Sequence, residues 1–451
     1  MDSKLLAISP LDGRYHSKLE GMREIFSEYS LIKYRLYIEV DYFLFLCNIL
    51  PELKEVTDDQ KRMIEEIKLL FNVSEAAKVK EYEKKTNHDI KAVEYYLRHC
   101  FEMLGMKKFT NFIHFGLTSQ DVNSVAYVHQ LWCFKSDVYS PLINTLMANL
   151  SSMVDKYKDV VMLSRTHGQP ASPTLLGKEL MVFESRLKTQ YTTLRKYNYK
   201  TKFGGAVGNC NAHYVAYPDL EWKKLMDEFV ELYSYNHGFM MYRNKFTTQI
   251  DNYENYSEVY DIIKRINTVL IDLCQDMWLY ISRDYFKIKI KEGEVGSSAM
   301  PHKVNPILFE NAEGNLRLSN SLLEFLSSKL PVSRLQRDLT DSTVLRNVGV
   351  AFSHTVLGLQ NIINGLQQLE ANKTAINNDL QNNVIVLSEA IQTILRKENV
   401  LDAYELVRDF TRTNSVITKK DLDDFILTLD VTEEIKNKLL TLKLLSYVGE
   451  V

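Results

Sequence analysis

Between residues 253 and 285 the chain carries no glycine and no proline, and its apolar residues return in alternating steps of four and three: Val259, Ile263, Ile266, Leu270, Leu273, Met277 and Tyr280. An α-helix turns once in ~3.6 residues, so this spacing lays one apolar stripe along a single long helix. Such a stripe packs as a coiled-coil seam and is incompatible with a strand, whose period is two.

Other segments repeat the pattern. Leu176, Leu180, Phe183, Leu187, Tyr191 and Leu194 form a second stripe. Residues 119–157 have helical spacing, with Pro141 expected to kink them, and 342–370 read as one helix. Ahead of 306–329, Asn305 is placed to cap a helix and Pro306 suits its first turn. Only 17 glycines and 9 prolines interrupt 451 residues. The expected fold is therefore all-α, with a long helical bundle over 114–366 between helical domains at 1–113 and 367–451.

A net charge of −3 argues against nonspecific binding to nucleic acid or membranes. Five scattered cysteines, none in a Cys-x-x-Cys pair, suit free thiols in a reducing compartment. The start of the chain holds no long apolar run, and Tyr42 to Leu50 is too short to span a bilayer, so a cytoplasmic protein is expected.

The chemistry concentrates in a few strings. Residues 296–306 read Gly-Ser-Ser-Ala-Met-Pro-His-Lys-Val-Asn-Pro, with Gly293 just upstream. A serine is a poor base unless its alkoxide is stabilised. Backbone N–H groups of a Gly-rich loop, a nearby lysine and a helix N-terminus together supply that, and they equally hold an anion. His167 lies in Ser164-Arg165-Thr166-His167-Gly168-Gln169-Pro170, before the second stripe. Histidine titrates near neutrality and can protonate a leaving nitrogen, while Thr166 and Gln169 can orient a carboxylate.

Thr86-Asn87-His88-Asp89 has no partner at zinc-motif spacing, so no metal is expected, and Asp89 is read as the cap of the next helix. Thr118-Ser119-Gln120-Asp121 reads as the start of the 119–157 helix. Arg334, Arg337, Asp338, Asp341, Ser342 and Arg346 crowd one short stretch and, with Arg14-Tyr15, suit a phosphate site or a set of surface ion pairs. Neither a Walker loop nor a Gly-x-Gly-x-x-Gly string is present.

Together these strings resemble the fumarase/aspartase superfamily, whose loop Gly-Ser-Ser-x-Met-Pro-x-Lys-x-Asn-Pro matches 296–306 at every fixed position. The start Ser-Pro-Leu-Asp-Gly-Arg-Tyr, the Thr-Asn-His-Asp string and Arg-Asp-Leu-Thr-Asp-Ser resemble its adenylosuccinate lyase branch, of bacterial type. The likeness runs from about residue 8 to about 440 and weakens after 370.

The resemblance implies three helical domains and a homotetramer with a twenty-helix core and active sites shared between subunits. It implies β-elimination of fumarate from adenylosuccinate, giving AMP, and from its ribonucleotide analogue SAICAR, giving AICAR, without a cofactor. Carried over by position, Ser297 is the base and His167 the acid. His88 is a second histidine that holds the substrate, and Lys303 stabilises the carboxylate. Asn87, Asp89, Thr118, Ser119, Thr166, Gln249, Ser298, Met300 and Asn305 contact the substrate. Arg14, Tyr15, Arg337, Ser342 and Arg346 bind its phosphate. Another member, such as an argininosuccinate lyase or a fumarase, is the nearest alternative, and a member recruited as a structural protein is the next.

Overall fold

A computed structural model describes residues 3–289, 300, 302–412 and 416–450. It is mostly helical, with three two-stranded sheets among the described residues. In chain order the first elements used below are α1 (Glu28–Cys47), α2 (Val73–Thr86), α3 (Asp89–Met103), α4 (Ser119–Cys133), α5 (Ser140–Tyr157), β1 (Val161–Thr166), β2 (Gln169–Leu175) and α6 (Leu176–Arg195). They are followed by β3 (Tyr199–Thr201), β4 (Met241–Arg243), α7 (Glu254–Ser282), β5 (Phe286–Ile288), α8 (Ile307–Lys329), α9 (Thr340–Leu345), α10 (Val348–Gln368) and β6 (Leu369–Ala371). Both apolar stripes are helical as the spacing requires. Val259 to Met277 of the α7 stripe are buried, and so is every residue of the α6 stripe.

The chain forms two compact units. The first comprises 1–143, 190–268 and 314–359, the second 144–189, 269–313 and 360–451. Within the first, α1 is buried on nearly all sides, through Leu36, Ile38, Tyr42, Phe43 and Leu46 among others. An apolar helix of this kind needs neighbours all round. Two of its charged residues, Arg35 and Glu39, are each only 1% exposed, which obliges them to find partners. Strands β3 and β4 pair in parallel. Within the second unit, β1 and β2 form an antiparallel hairpin, and Leu163 of β1 joins a core with Leu380, Leu387, Ile391, Leu395 and Ile426. Strands β5 and β6 pair antiparallel.

Several local expectations need correction. The irregularity in 119–157 is a π-helical turn, Phe134–Tyr139, that ends before Pro141. Proline has no N–H for the preceding turn and its ring crowds that turn's carbonyl, and a widened turn just upstream relieves both. The segment 342–370 is two helices, α9 and α10, broken at Arg346 and Asn347. Asn347 causes the break: its Nδ2 donates to Thr343 O (3.1 Å), while its own carbonyl accepts from Val350 (3.1 Å) and Ala351 (3.2 Å) to start α10. At α8 the carbonyl of Pro306 already accepts from Phe309 and Glu310, so Pro306 holds the cap position and Asn305 lies one residue outside.

Among the described residues no helix is long and apolar enough to cross a membrane. All five cysteines are free thiols, and only Cys100 is not fully buried.

Candidate active site

The Thr86–Asp89 string is the turn from α2 to α3. Asn87 closes α2 in a left-handed conformation (φ 51°), which asparagine tolerates better than most residues. His88, not Asp89, is the cap of α3: its Nδ1 accepts the Lys91 N–H at 3.1 Å. That bond places the ring proton on Nε2, leaving an exposed N–H donor. Asp89 is instead the first helical residue, where its carboxylate meets the positive end of α3. It also accepts from two arginines, Arg35 Nη2 at 2.8 Å and Arg346 Nη2 at 3.2 Å. Burial pushes the Asp89 carboxyl up, but Arg35, the Ile90 N–H and Arg346 outweigh it and hold it below the usual carboxylate range. Arg35 also donates from Nε to Asn123 of α4 (2.8 Å), tying α4 to the start of α3.

Arg346 sits at the α9–α10 break, shared between Asp89 and Glu28 (3.0 Å). It borders a cleft of about 230 Å³ with Leu11 and Asp12, in the segment that continues to Arg14 and Tyr15. Arg14 is exposed and forms no ion pair with a described residue. Tyr15 is half-buried in the turn that follows Pro10. Upstream, before α9, Arg337 Nη2 donates to Ser342 Oγ at 2.8 Å, and its Nε stands 3.6 Å from Asp341 Oδ1.

Thr118 and Ser119 open α4 as expected. What fixes them is Asp121, whose Oδ2 accepts the Thr118 N–H at 2.8 Å. Its Oδ1 accepts Lys202 Nζ (2.6 Å) and the Gly204 N–H (2.7 Å), and both charged side chains are fully buried. The glycine run beyond Lys202 then passes against the loop that leads to Gln249. A Cβ on Gly208 (φ 79°) would stand 2.6 Å from Thr247 O, so only glycine allows the approach. Gln249 itself is half-buried.

In the second unit His167 is a turn residue, not a residue at a helix start. His167 (φ 53°) and Gly168 (φ 74°) form the two-residue loop of the β1–β2 hairpin, flanked by the Thr166–Gln169 pair. Positive φ at both central positions is the type I′ geometry that matches strand twist. Thr166 and His167 are exposed, and the strand beneath is anchored by Arg165 Nη2 donating to Asp379 Oδ2 (2.7 Å). Met300 and Lys303 are exposed, and the Lys303 N–H donates to the Met300 carbonyl (3.0 Å). Asn305 is half-buried. Ser297 and Ser298 lie outside the described residues.

Within the first unit the structure thus brings Asp89 to Arg346 and Arg337 to Ser342. Arg35, which holds Asp89, Lys202, which pairs with Asp121, and Tyr253, which bonds Asp341, were not singled out from sequence. Arg35 is one of several charges in its helix, with Lys33, Glu39 and Asp41, so its sequence position did not set it apart.

A family profile described as "Lyase" matches residues 13–317, and one described as "Adenylosuccinate lyase C-terminal" matches 333–448. Proteins named adenylosuccinate lyase are 47% identical in Dictyostelium discoideum, 46% in Legionella pneumophila (strain Corby) and 40% in Escherichia coli (strain K12), each over 99% of this chain and 97% of the relative. Two solved structures share the fold: a fumarate lyase from Mesorhizobium sp. BNC1 (TM-score 0.74, 17% identity, 95% of this chain and 94% of that one), and a 3-carboxy-cis,cis-muconate lactonizing enzyme from Pseudomonas putida (TM-score 0.73, 20% identity, 95% and 93%). On full-length similarity to its named relatives, this chain is a lyase that belongs to the adenylosuccinate lyase family of the fumarase/aspartase superfamily.

Proposed function

We propose that the chain eliminates fumarate from adenylosuccinate, leaving AMP, and from SAICAR, leaving AICAR. Ser297 takes the proton from the succinyl β-carbon. The electron pair passes into the adjacent carboxylate, and Lys303 and Asn305 stabilise the aci-carboxylate that results. As this collapses, the C–N bond breaks and His167 gives its proton to the leaving nitrogen. The exposed Nε2–H of His88 holds the substrate beside that nitrogen.

The observation that carries this reading is the Arg337–Ser342 pair at 2.8 Å, with Arg346 at the following helix break. Fork-shaped guanidinium donors beside a hydroxyl suit a phosphate, which argininosuccinate and fumarase substrates lack.

The same reading includes a cytoplasmic homotetramer with shared sites and domain limits near 113 and 366. Large apolar side chains on the long helices support subunit contacts: Trp278 and Leu279 of α7, and Leu318 and Phe325 of α8, are each between 43% and 55% exposed.

Incubating the purified protein with adenylosuccinate should release AMP and fumarate in equal amounts. Turnover of argininosuccinate in place of adenylosuccinate would overturn the assignment.

A further inference from the structure

Tyr253 precedes α7 in a left-handed conformation (φ 65°), although it is neither glycine nor asparagine. A bulky residue there is strained and persists only where its surroundings over-determine it. The surroundings here are specific. Its N–H donates to Asp251 Oδ1 (3.1 Å), and Asn244 Nδ2 braces the same carboxylate (3.1 Å). Its carbonyl starts α7 by accepting from Tyr256 (3.1 Å) and Ser257 (3.0 Å). The constraint aims the buried phenol at Asp341, where it donates to Oδ2 at 3.1 Å. Burial, with Asp341 and Asp251 nearby, pushes the phenol far above its ordinary range, so it remains a donor.

Asp341 is itself buried, and its other oxygen faces the candidate phosphate residues. Oδ1 accepts the Ser342 N–H at 2.7 Å and stands 3.6 Å from Arg337 Nε. That Nε is buried and has no hydrogen-bond partner. The guanidinium is thus held by charge at Nε and by Ser342 at Nη2, and its aim depends on where Asp341 sits. The nearest anchor outside this segment is Tyr253.

We infer that Tyr253 is a positioning residue for phosphate recognition: its hydroxyl holds Asp341, and Asp341 sets the directions of Arg337 and Ser342. The inference rests on the reading above that Arg337 and Ser342 bind the substrate phosphate. The same bond ties the segment that follows Gln249 to the arginine segment.

The test compares inhibition by AMP, which carries the phosphate, with inhibition by fumarate, which does not. Tyr253→Phe removes one oxygen and keeps the ring. AMP should inhibit this variant about tenfold more weakly, as expected for loss of one hydrogen bond to a charged group. KM for adenylosuccinate should rise in parallel, while kcat and fumarate inhibition stay within about twofold, the pattern of lost uniform binding. Arg337→Ala is the reference and should weaken AMP more strongly.

If Arg337→Ala weakens AMP and Tyr253→Phe does not, the inference falls and the site reading stands. An Arg337→Ala variant with unchanged AMP inhibition removes both. Parallel losses in kcat, AMP and fumarate inhibition would mark Tyr253 as merely structural and also overturn the inference. Should Tyr253→Phe fail to fold, Asp341→Asn reads the link from its other end. It keeps an acceptor for the phenol, removes the charge facing Arg337, and must weaken AMP selectively if the inference holds.

Discussion

Alanine at position 297 should lower kcat for adenylosuccinate by about four orders of magnitude while leaving substrate binding nearly unchanged. A positioned general base contributes ~10²–10⁴ to a proton transfer. The proposed phosphate contacts lie elsewhere in the chain and Lys303 and Asn305 are unchanged, so equilibrium dialysis of the variant with adenylosuccinate should give a dissociation constant close to the KM of the unaltered protein. Near-normal kcat would assign the base to another group. The same variant also tests the shared site. Mixed and re-equilibrated with an inactive His167→Ala protein, it should regain part of the activity, because some sites then draw an intact serine and an intact histidine from different subunits. Proven subunit exchange without recovery would count against sharing.

The second large effect concerns stability. Lys202→Met should destabilise the protein by about 3–5 kcal/mol, measured by urea denaturation followed by circular dichroism. Lys202 and Asp121 are both fully buried and 2.6 Å apart. Removing the ammonium leaves the carboxylate with only the N–H groups of Thr118, Gly204 and Gly205 as donors. Two charges out of water are tolerable as a pair, and one alone is costly. Replacing both, Asp121→Leu with Lys202→Met, should recover much of the loss, since no charge then remains unpaired. It would also free the start of α4, so this double variant should be more stable than the single one yet poor in turnover. A loss below about 1 kcal/mol in the single variant would show that the backbone donors alone suffice for Asp121.

The helices were legible because a period of 3.6 leaves its mark in any sequence that must bury one face. Val259 to Tyr280 carries that mark for six steps without a breaker. The β1–β2 hairpin left none. Its second strand holds Pro170 and Pro173, paired opposite Arg165 and Leu163, and the ladder shifts register between those two positions. Prolines are tolerated there because a two-stranded sheet has only edges, and they erase the alternation by which strands are recognised. At the candidate site the short strings were readable because each packs several polar groups into adjacent positions. Arg35, Lys202 and Tyr253 were not, because each acts on a residue far along the chain. Tyr253 and Asp341 are separated by 88 positions, and folding alone makes them neighbours.

The two-residue loop His167–Gly168 has a consequence for how this chain can vary. A type I′ turn has no slack, and strand side chains alternate faces at every step. Substitution at Gly168 would strain the turn, but an insertion of one residue would do more: it would change the turn type and rotate His167 off its present bearing, while leaving the amino acid itself intact. Alignment by identity alone would score such a chain as keeping its proposed acid. Loop length, rather than residue identity, is therefore the property to inspect when asking whether a relative of this chain retains the chemistry.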